Sequence, residues 1–223
     1  MQYEIEIKCL LPDKSALETL LKKIDLKDPT MKLVSVQRQR NHYFHGGSLE
    51  KLIEHAVSHL SAEQLENIKD INATATHINV RSRQKNDEVL LIVKGSLDDV
   101  SAAHSHHRME FEGVVPLDID QLDDLILESG WLLEAKWQAN REIYSALGLT
   151  VDTIVTPGYG YMVEFERVVT DDSSREEAHQ QILDVMESLG VEELPNDRLE
   201  RMFAYYNEHW QEYYDTDKTF VVK

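Results

Sequence analysis

YEIEIK, residues 3–8, is the stretch on which the fold turns. In an extended chain successive side chains alternate between faces. Tyr3, Ile5 and Ile7 then share one face, and Glu4, Glu6 and Lys8 share the other. An antiparallel sheet with one solvated face carries such a charged row without difficulty. The stretch therefore has to be read against the rest of the chain.

The same form returns twice. RMEFE at 108–112 and VEFER at 163–167 repeat the Glu-x-Glu strand with apolar residues between the acids. Each copy runs, after a short polar stretch, into a segment with helical apolar spacing. Other strand-like segments agree in phase. One face collects the acids Glu4, Glu6, Glu110, Glu112, Asp152, Glu164 and Glu166 with the bases Lys8, Arg81, Arg83, Lys94, Arg108 and Arg141. The opposite face collects Ile5, Ile7, Val80, Phe111, Val163 and Phe165.

Working outward, Pro12 and Asp13 open a helix carrying Leu17, Leu20, Leu21 and Ile24. Residues 33–44 read as a long strand, broken by His45, Gly46 and Gly47. Ser48 caps a helix with Leu49, Leu52, Ile53, Ala56, Val57 and Leu60, and a short helical piece follows at 62–68. This region, 46–76, reads as an insertion between two strands, placed to reshape one mouth of a tunnel. Residues 78–95 form a hairpin turning near Asn86, and 96–106 a polar loop. A helix over 118–129 ends at Gly130. Residues 139–145 and 149–154 form a second hairpin, 161–169 a strand, 176–189 a helix, and 196–214 a C-terminal helix.

The helices can cover only the apolar face of about eight strands. The charged face then meets water or turns inward, and closure into a barrel removes the exposed edges. The reading is an α+β fold: an eight-stranded antiparallel closed β-barrel with helices packed on the outside and a charged tunnel within. No low-complexity linker divides the chain, so residues 1–223 are expected to form a single domain.

Composition limits the partners. The 223 residues carry a formal charge of −18, which argues against broad binding to nucleic acid or to an anionic membrane. No run reaches the roughly 18 apolar residues of a spanning helix, and no basic stretch leads into an apolar one. Cys9 is the single cysteine, so no internal disulfide can form, and a cytoplasmic protein is expected. Burying unpaired charge costs several kcal/mol per ion. Acids interleaved with bases lower that cost, and a ligand bearing both charges lowers it further. Carboxylates hold hard divalent cations, and guanidinium groups match phosphate oxygens. A metal–polyphosphate complex, with Mg²⁺ or Mn²⁺ as the cation, suits such a face.

With these motifs in order the chain resembles the CYTH superfamily, the triphosphate tunnel metalloenzymes. The resemblance rests on Glu4-x-Glu6-x-Lys8, Gln39-x-Asn41-x-Tyr43-Phe44, Val80-Arg81-Ser82-Arg83, Val93-Lys94-Gly95, Arg108-x-Glu110-x-Glu112, Arg141, Asp152 and Glu164-x-Glu166. It implies a small triphosphate-containing substrate. Glu6, Asp152, Glu164 and Glu166 become metal ligands with Glu4 near them, and Lys8, Arg81, Arg83, Lys94, Arg108 and Arg141 hold the triphosphate. It also implies metal-assisted attack on phosphorus, by water in the family's triphosphatases or by a ribose hydroxyl in its class IV adenylate cyclases. Two positions depart from the pattern. Asn41 stands where an aspartate is common. Ala139 replaces a lysine, with Lys136 nearby on the wrong phase.

Three functions follow: a metal-dependent triphosphatase, which is favoured because nothing visible specifies adenine; an adenylate cyclase; and a non-catalytic polyphosphate or nucleotide binder. Other features read as ordinary structure. His55 and His59 have zinc-compatible spacing but no HExxH motif and no third ligand. The histidines at 104, 106 and 107 read as a solvated loop. Residues 158–160, GYG, read as a turn. The aromatic stripe at 203–214 reads as packing that closes one tunnel end, and Cys9 has no activating partner.

Overall fold

The computed structural model describes residues 3–96 and 108–221. In chain order the elements are β1 (Tyr3–Leu11), α1 (Lys14–Lys27), β2 (Lys32–His45), α2 (Leu49–Ala56), α3 (Ala62–Thr74), β3 (His77–Lys85), β4 (Glu88–Ser96) and β5 (Arg108–Val114). There follow α4 (Ile119–Glu128), β6 (Leu132–Ala146), β7 (Leu149–Thr156), β8 (Gly160–Val169), α5 (Arg175–Leu189) and α6 (Asn196–Tyr213). No helix among the described residues is long and apolar enough to cross a membrane.

The strands form one antiparallel sheet in the order β1-β8-β7-β6-β2-β3-β4-β5. The expected closed barrel is not formed. The sheet is open, with β1 and β5 at its two ends. The argument for closure was that free edges must be hidden, and the chain hides them by other means. The Leu194 N–H, just beyond α5, donates to the Lys8 carbonyl of β1 at 2.7 Å. At the other end, Gln64 of α3 donates to the Val114 carbonyl of β5 at 3.5 Å. Both end strands also carry the charged Glu-x-Glu pattern, which discourages pairing with a further strand.

The chain divides into two compact units, Met1–Arg38 with Gln138–Lys223, and Gln39–Trp137. In the first, β1, β7 and β8 turn Ile7, Cys9, Val151, Val163 and Phe165 to one face. Helices α1 and α5 cover that face with Leu17, Leu20, Ile24, Ile182, Met186 and Leu189. Asp13 caps α1, accepting the Ala16 N–H at 2.8 Å. Gly190 ends α5 in the left-handed conformation, φ +73°. Helix α6 and the following chain pack Phe203, Tyr206 and Phe220 around Tyr159. The turn expected at 158–160 is present between β7 and β8, and the aromatic stripe is packing; with the sheet open it closes no tunnel.

In the second unit, Phe44, Val80, Leu91, Val93 and Phe111 form the covered face of β2 to β5. Helices α2, α3 and α4 lie over it with Leu49, Leu52, Ala56, Ile68, Ile71, Ile119, Leu122 and Ile126. Ser61 with Gln64, and Asp118 with Gln121, form reciprocal capping boxes at the starts of α3 and α4. The segment at 46–76, read as an insertion between strands, supplies two of the three helices that build this core. Its entry is tight: the Trp131 ring lies where a Cβ on Gly47 would stand, so only glycine fits.

Candidate functional site

Each unit presents a charged face opposite its core. The cause is strand alternation combined with register. In the first unit Lys8 lies opposite Glu164, Glu6 opposite Glu166, and Asp152 opposite Glu164. Pairing partners point to the same side of a sheet, so these side chains share one face. Arg141 lies opposite Ile154, two residues from Asp152, and joins them.

The side chains are locked by opposite charges. The Lys8 ammonium donates to Glu164 at 2.7 Å and also pairs with Glu6. Arg141 donates from Nε to Asp152 Oδ2 at 2.8 Å and from Nη2 to Glu164 Oε2 at 3.1 Å. Burial lowers the proton affinity of Arg141, but the hydrogen bond and charge of Asp152, with Glu164 and Glu166, overcome it, and the guanidinium is held charged. Burial raises Asp152 above the usual carboxylate range against the pull of Arg141, with Glu164 adding to the rise. Asp152 is 4% exposed, and its Oδ1 has no hydrogen-bond partner among the described residues.

In the second unit the face carries Asn41, Tyr43, Arg81, Arg83, Lys94, Glu110 and Glu112. Asn41 lies opposite Arg83, Tyr43 opposite Arg81, and Lys94 opposite Glu110. Arg83 donates from Nε to Asn41 Oδ1 at 2.7 Å and from Nη1 to Glu112 at 3.3 Å. Lys94 pairs with Glu110 at 2.8 Å. The Arg81 guanidinium lies over the Tyr43 ring, 4.5 Å from its centroid. Its Nε is buried and has no acceptor among the described residues.

The sequence-predicted residues thus fall into two groups. Glu6, Lys8, Arg141, Asp152, Glu164 and Glu166 share the face of the first unit; Arg81, Arg83, Lys94, Glu110 and Glu112 share that of the second. Glu4 sits in β1 opposite Val168, and Arg108 in β5 opposite Ser96. The side chains of those two lie outside the described ones, as do the histidines at 104, 106 and 107. Lys136 reaches the Asp123 carboxylate at 3.3 Å. His55 hydrogen-bonds Ser129 at 3.0 Å. Cys9 is buried, and desolvation pushes its thiol up to about 12 against a hydrogen bond from the Val163 backbone that lowers it, so it is no nucleophile near neutral pH.

One group was missed in the sequence. Asp123 of α4 accepts the Ser82 hydroxyl at 2.5 Å and meets His42 Nδ1 at 2.7 Å. All three are buried. The available signal was an aspartate inside the apolar stripe of α4, between Ile119, Leu122 and Ile126.

Among the described residues no three metal-ligating side chains converge closely enough to hold an ion as they stand. The reason is visible in the ion pairs: Lys8 and Arg141 occupy oxygens of Glu6, Asp152 and Glu164. The donor set still fits a hard divalent cation, being all carboxylate, and the buried Asp152 Oδ1 has no partner among the described residues.

Helices on the apolar face of antiparallel strands, with acids alternating with bases on the other face, place each unit in the α+β class. The chain belongs to the CYTH family, whose domain model matches residues 2–198. A putative adenylate cyclase from Vibrio parahaemolyticus is similar in fold, with a TM-score of 0.54 at 12% identity over 91% of this chain and 98% of that one. A conserved hypothetical protein from Pyrococcus furiosus gives 0.53 at 20% identity over 85% and 92%. The PH1819 protein of Pyrococcus horikoshii gives 0.51 at 22% identity over 86% and 92%. At these identities the likeness is one of fold. A search of curated proteins finds no match.

Proposed function

We propose that the chain is a metal-dependent triphosphatase acting on inorganic triphosphate or on a small triphosphate ester. The observation that carries this reading is made in each unit by itself: among the described residues, the buried acceptor Asp152 Oδ1 of the first and the buried donor Arg81 Nε of the second have no hydrogen-bond partner. Leaving such a group unpaired costs about 1–3 kcal/mol. A cation relieves the first and a phosphoryl oxygen the second. Family membership and the ordered charged motifs support the same reading.

In this reading Glu6, Asp152, Glu164 and Glu166, with Glu4, hold Mg²⁺ or Mn²⁺, which supplies Lewis-acid polarisation of a phosphoryl group. Lys8 and Arg141, which pair with these carboxylates in the free protein, would bind phosphate oxygens. Arg81, Arg83, Lys94 and Arg108 neutralise charge on the triphosphate, more strongly as it builds up in the transition state. Water attacks the terminal phosphorus, the bridging P–O bond breaks, and orthophosphate leaves.

The test offers inorganic triphosphate, thiamine triphosphate and ATP with Mg²⁺ or Mn²⁺ and separates the products. Orthophosphate release supports the reading. Cyclic AMP with pyrophosphate shows a cyclase, and recovery of every substrate intact shows a binder. Glu164→Gln is expected to lower turnover by at least ~10²-fold with the fold intact by circular dichroism. Undiminished turnover in that variant removes Glu164 from the chemistry.

A further inference from the structure

We infer that Asp123, which bonds His42 and Ser82 on the covered side of the second unit, is the positioning residue for the Arg81 and Arg83 pair. This rests on the proposal that those arginines receive phosphate. The argument starts from alternation. Ser82 lies between Arg81 and Arg83 on β3, and His42 lies between Asn41 and Tyr43 on β2. His42 and Ser82 are direct cross-strand partners. Their side chains therefore emerge together on the reverse side of the strands whose front side carries the four residues.

Asp123 holds that reverse pair with one oxygen each. Oδ1 accepts from Ser82 at 2.5 Å, and Oδ2 meets His42 at 2.7 Å and the Lys136 ammonium at 3.3 Å. His42, Ser82 and Asp123 are 2%, 0% and 6% exposed. One carboxylate thus ties α4 to β2, β3 and β6. Burial alone raises Asp123, but the hydrogen bonds from His42 and Ser82 and the charges of His42 and Lys136 hold it below the usual carboxylate value. It stays ionised and keeps accepting.

The consequence is a fixed register. A slip of one residue between strands turns every side chain to the other face. The hydrophobic pattern resists such a slip, but β2 here carries Gln39, Asn41 and His42 among its buried positions, where an apolar pattern is weakest. The carboxylate replaces that missing specificity. It places Asn41 opposite Arg83 and Tyr43 opposite Arg81, and so sets the 2.7 Å bond to Arg83 Nε and the stacking under Arg81.

The test compares the wild type with Asp123→Asn, with Ser82→Ala as a gentler second variant, and with Ile126→Val as a core control on the same helix. Two readouts are taken on the full chain: the ¹⁵N NMR signal of the Arg83 Nε–H, assigned through Arg83→Lys, and the Kd for inorganic triphosphate by calorimetry. Asp123→Asn is expected to shift the Arg83 signal, speed its exchange with water and weaken binding about tenfold, with no further loss when combined with Arg83→Ala. Ile126→Val leaves both readouts in place. Should Asp123→Asn fail to fold, the same signature in Ser82→Ala carries the proposal. An unmoved Arg83 signal in the folded variants overturns it. A wild type that binds no triphosphate overturns the proposed function instead, while the Arg83 signal still decides the role of Asp123.

Discussion

Asn41 and Asp152 are the residues whose chemistry is most exposed to test. Asn41 is 2% exposed and gives Arg83 a neutral acceptor. A carboxylate there would join Glu112 in claiming the guanidinium and compete with phosphate. Asn41→Asp is therefore expected to weaken inorganic triphosphate binding by about fivefold or more, since a charged acceptor strengthens such a bond by about 1 kcal/mol or more. Calorimetry reads this directly, and equal or tighter binding in the variant excludes Arg83 from the phosphate site. For Asp152 the sign follows from its raised pKa. In the metal-free protein its protonated form is favoured by folding. That stability is present below the unfolded value and lost as pH rises through the elevated folded value. A cation needs the ionised form, so Mn²⁺ should raise the melting temperature at neutral pH and lose its effect on acidification, the loss setting in above the ordinary aspartate range. Asp152→Asn should melt at the same temperature with and without Mn²⁺. A full Mn²⁺ shift in that variant places the metal elsewhere.

At the scale of elements, the segment carrying α2 and α3 is core. Ile68 and Ile71 of α3 are 1% and 2% exposed and pack on the covered face of the second unit. Ile68→Ala is expected to cost about 2–5 kcal/mol in urea unfolding, with turnover per folded molecule unchanged. A loss of turnover beyond the unfolded fraction would give the segment a direct part in the site. The helical periodicity made α2 legible, and Gly190 and Gly130 marked two helix ends, because these signals are local. Three features were not legible, for physical reasons. Helix α3 runs six residues past its expected end because Asn72 and Ala73 break no rule of periodicity. Strand β6 begins seven residues early, since LLEAKWQ at 132–138 is rich in helix formers, and local propensity there points away from a strand. Closure was inferred from a need to hide edges, and edge cover by Leu194 and Gln64 comes from chain distant in sequence. The described members of each unit's charged face were legible, since alternation depends only on neighbours; the reverse-side network of Asp123 was not, since it joins positions 41 and 81 residues apart.

For the whole molecule, under the proposed function, the dominant quantity is a formal charge of −18 acting on a strongly anionic triphosphate. Two electrostatic effects oppose each other. The basic side chains Arg81, Arg83 and Lys94 attract the triphosphate at contact, whereas the net charge repels it on approach. Their ranges differ. The Debye length is about 30 Å at 0.01 M salt and about 10 Å at 0.1 M. Added salt therefore removes the long-range repulsion first. It weakens the contacts less, because they act over a few ångströms on groups that are about 20% exposed in Arg83 and Lys94. The bases are also already paired, Arg83 with Glu112 and Lys94 with Glu110, so their field at a distance is small. From this ordering kcat/KM for inorganic triphosphate, measured with saturating Mg²⁺, should rise between about 0.01 M and 0.1 M potassium chloride and fall only at higher salt. The repulsion acts on association, so the rise should appear in kcat/KM while kcat stays flat. A rate that falls monotonically from the lowest salt would mean that the basic side chains steer the substrate in spite of the net charge.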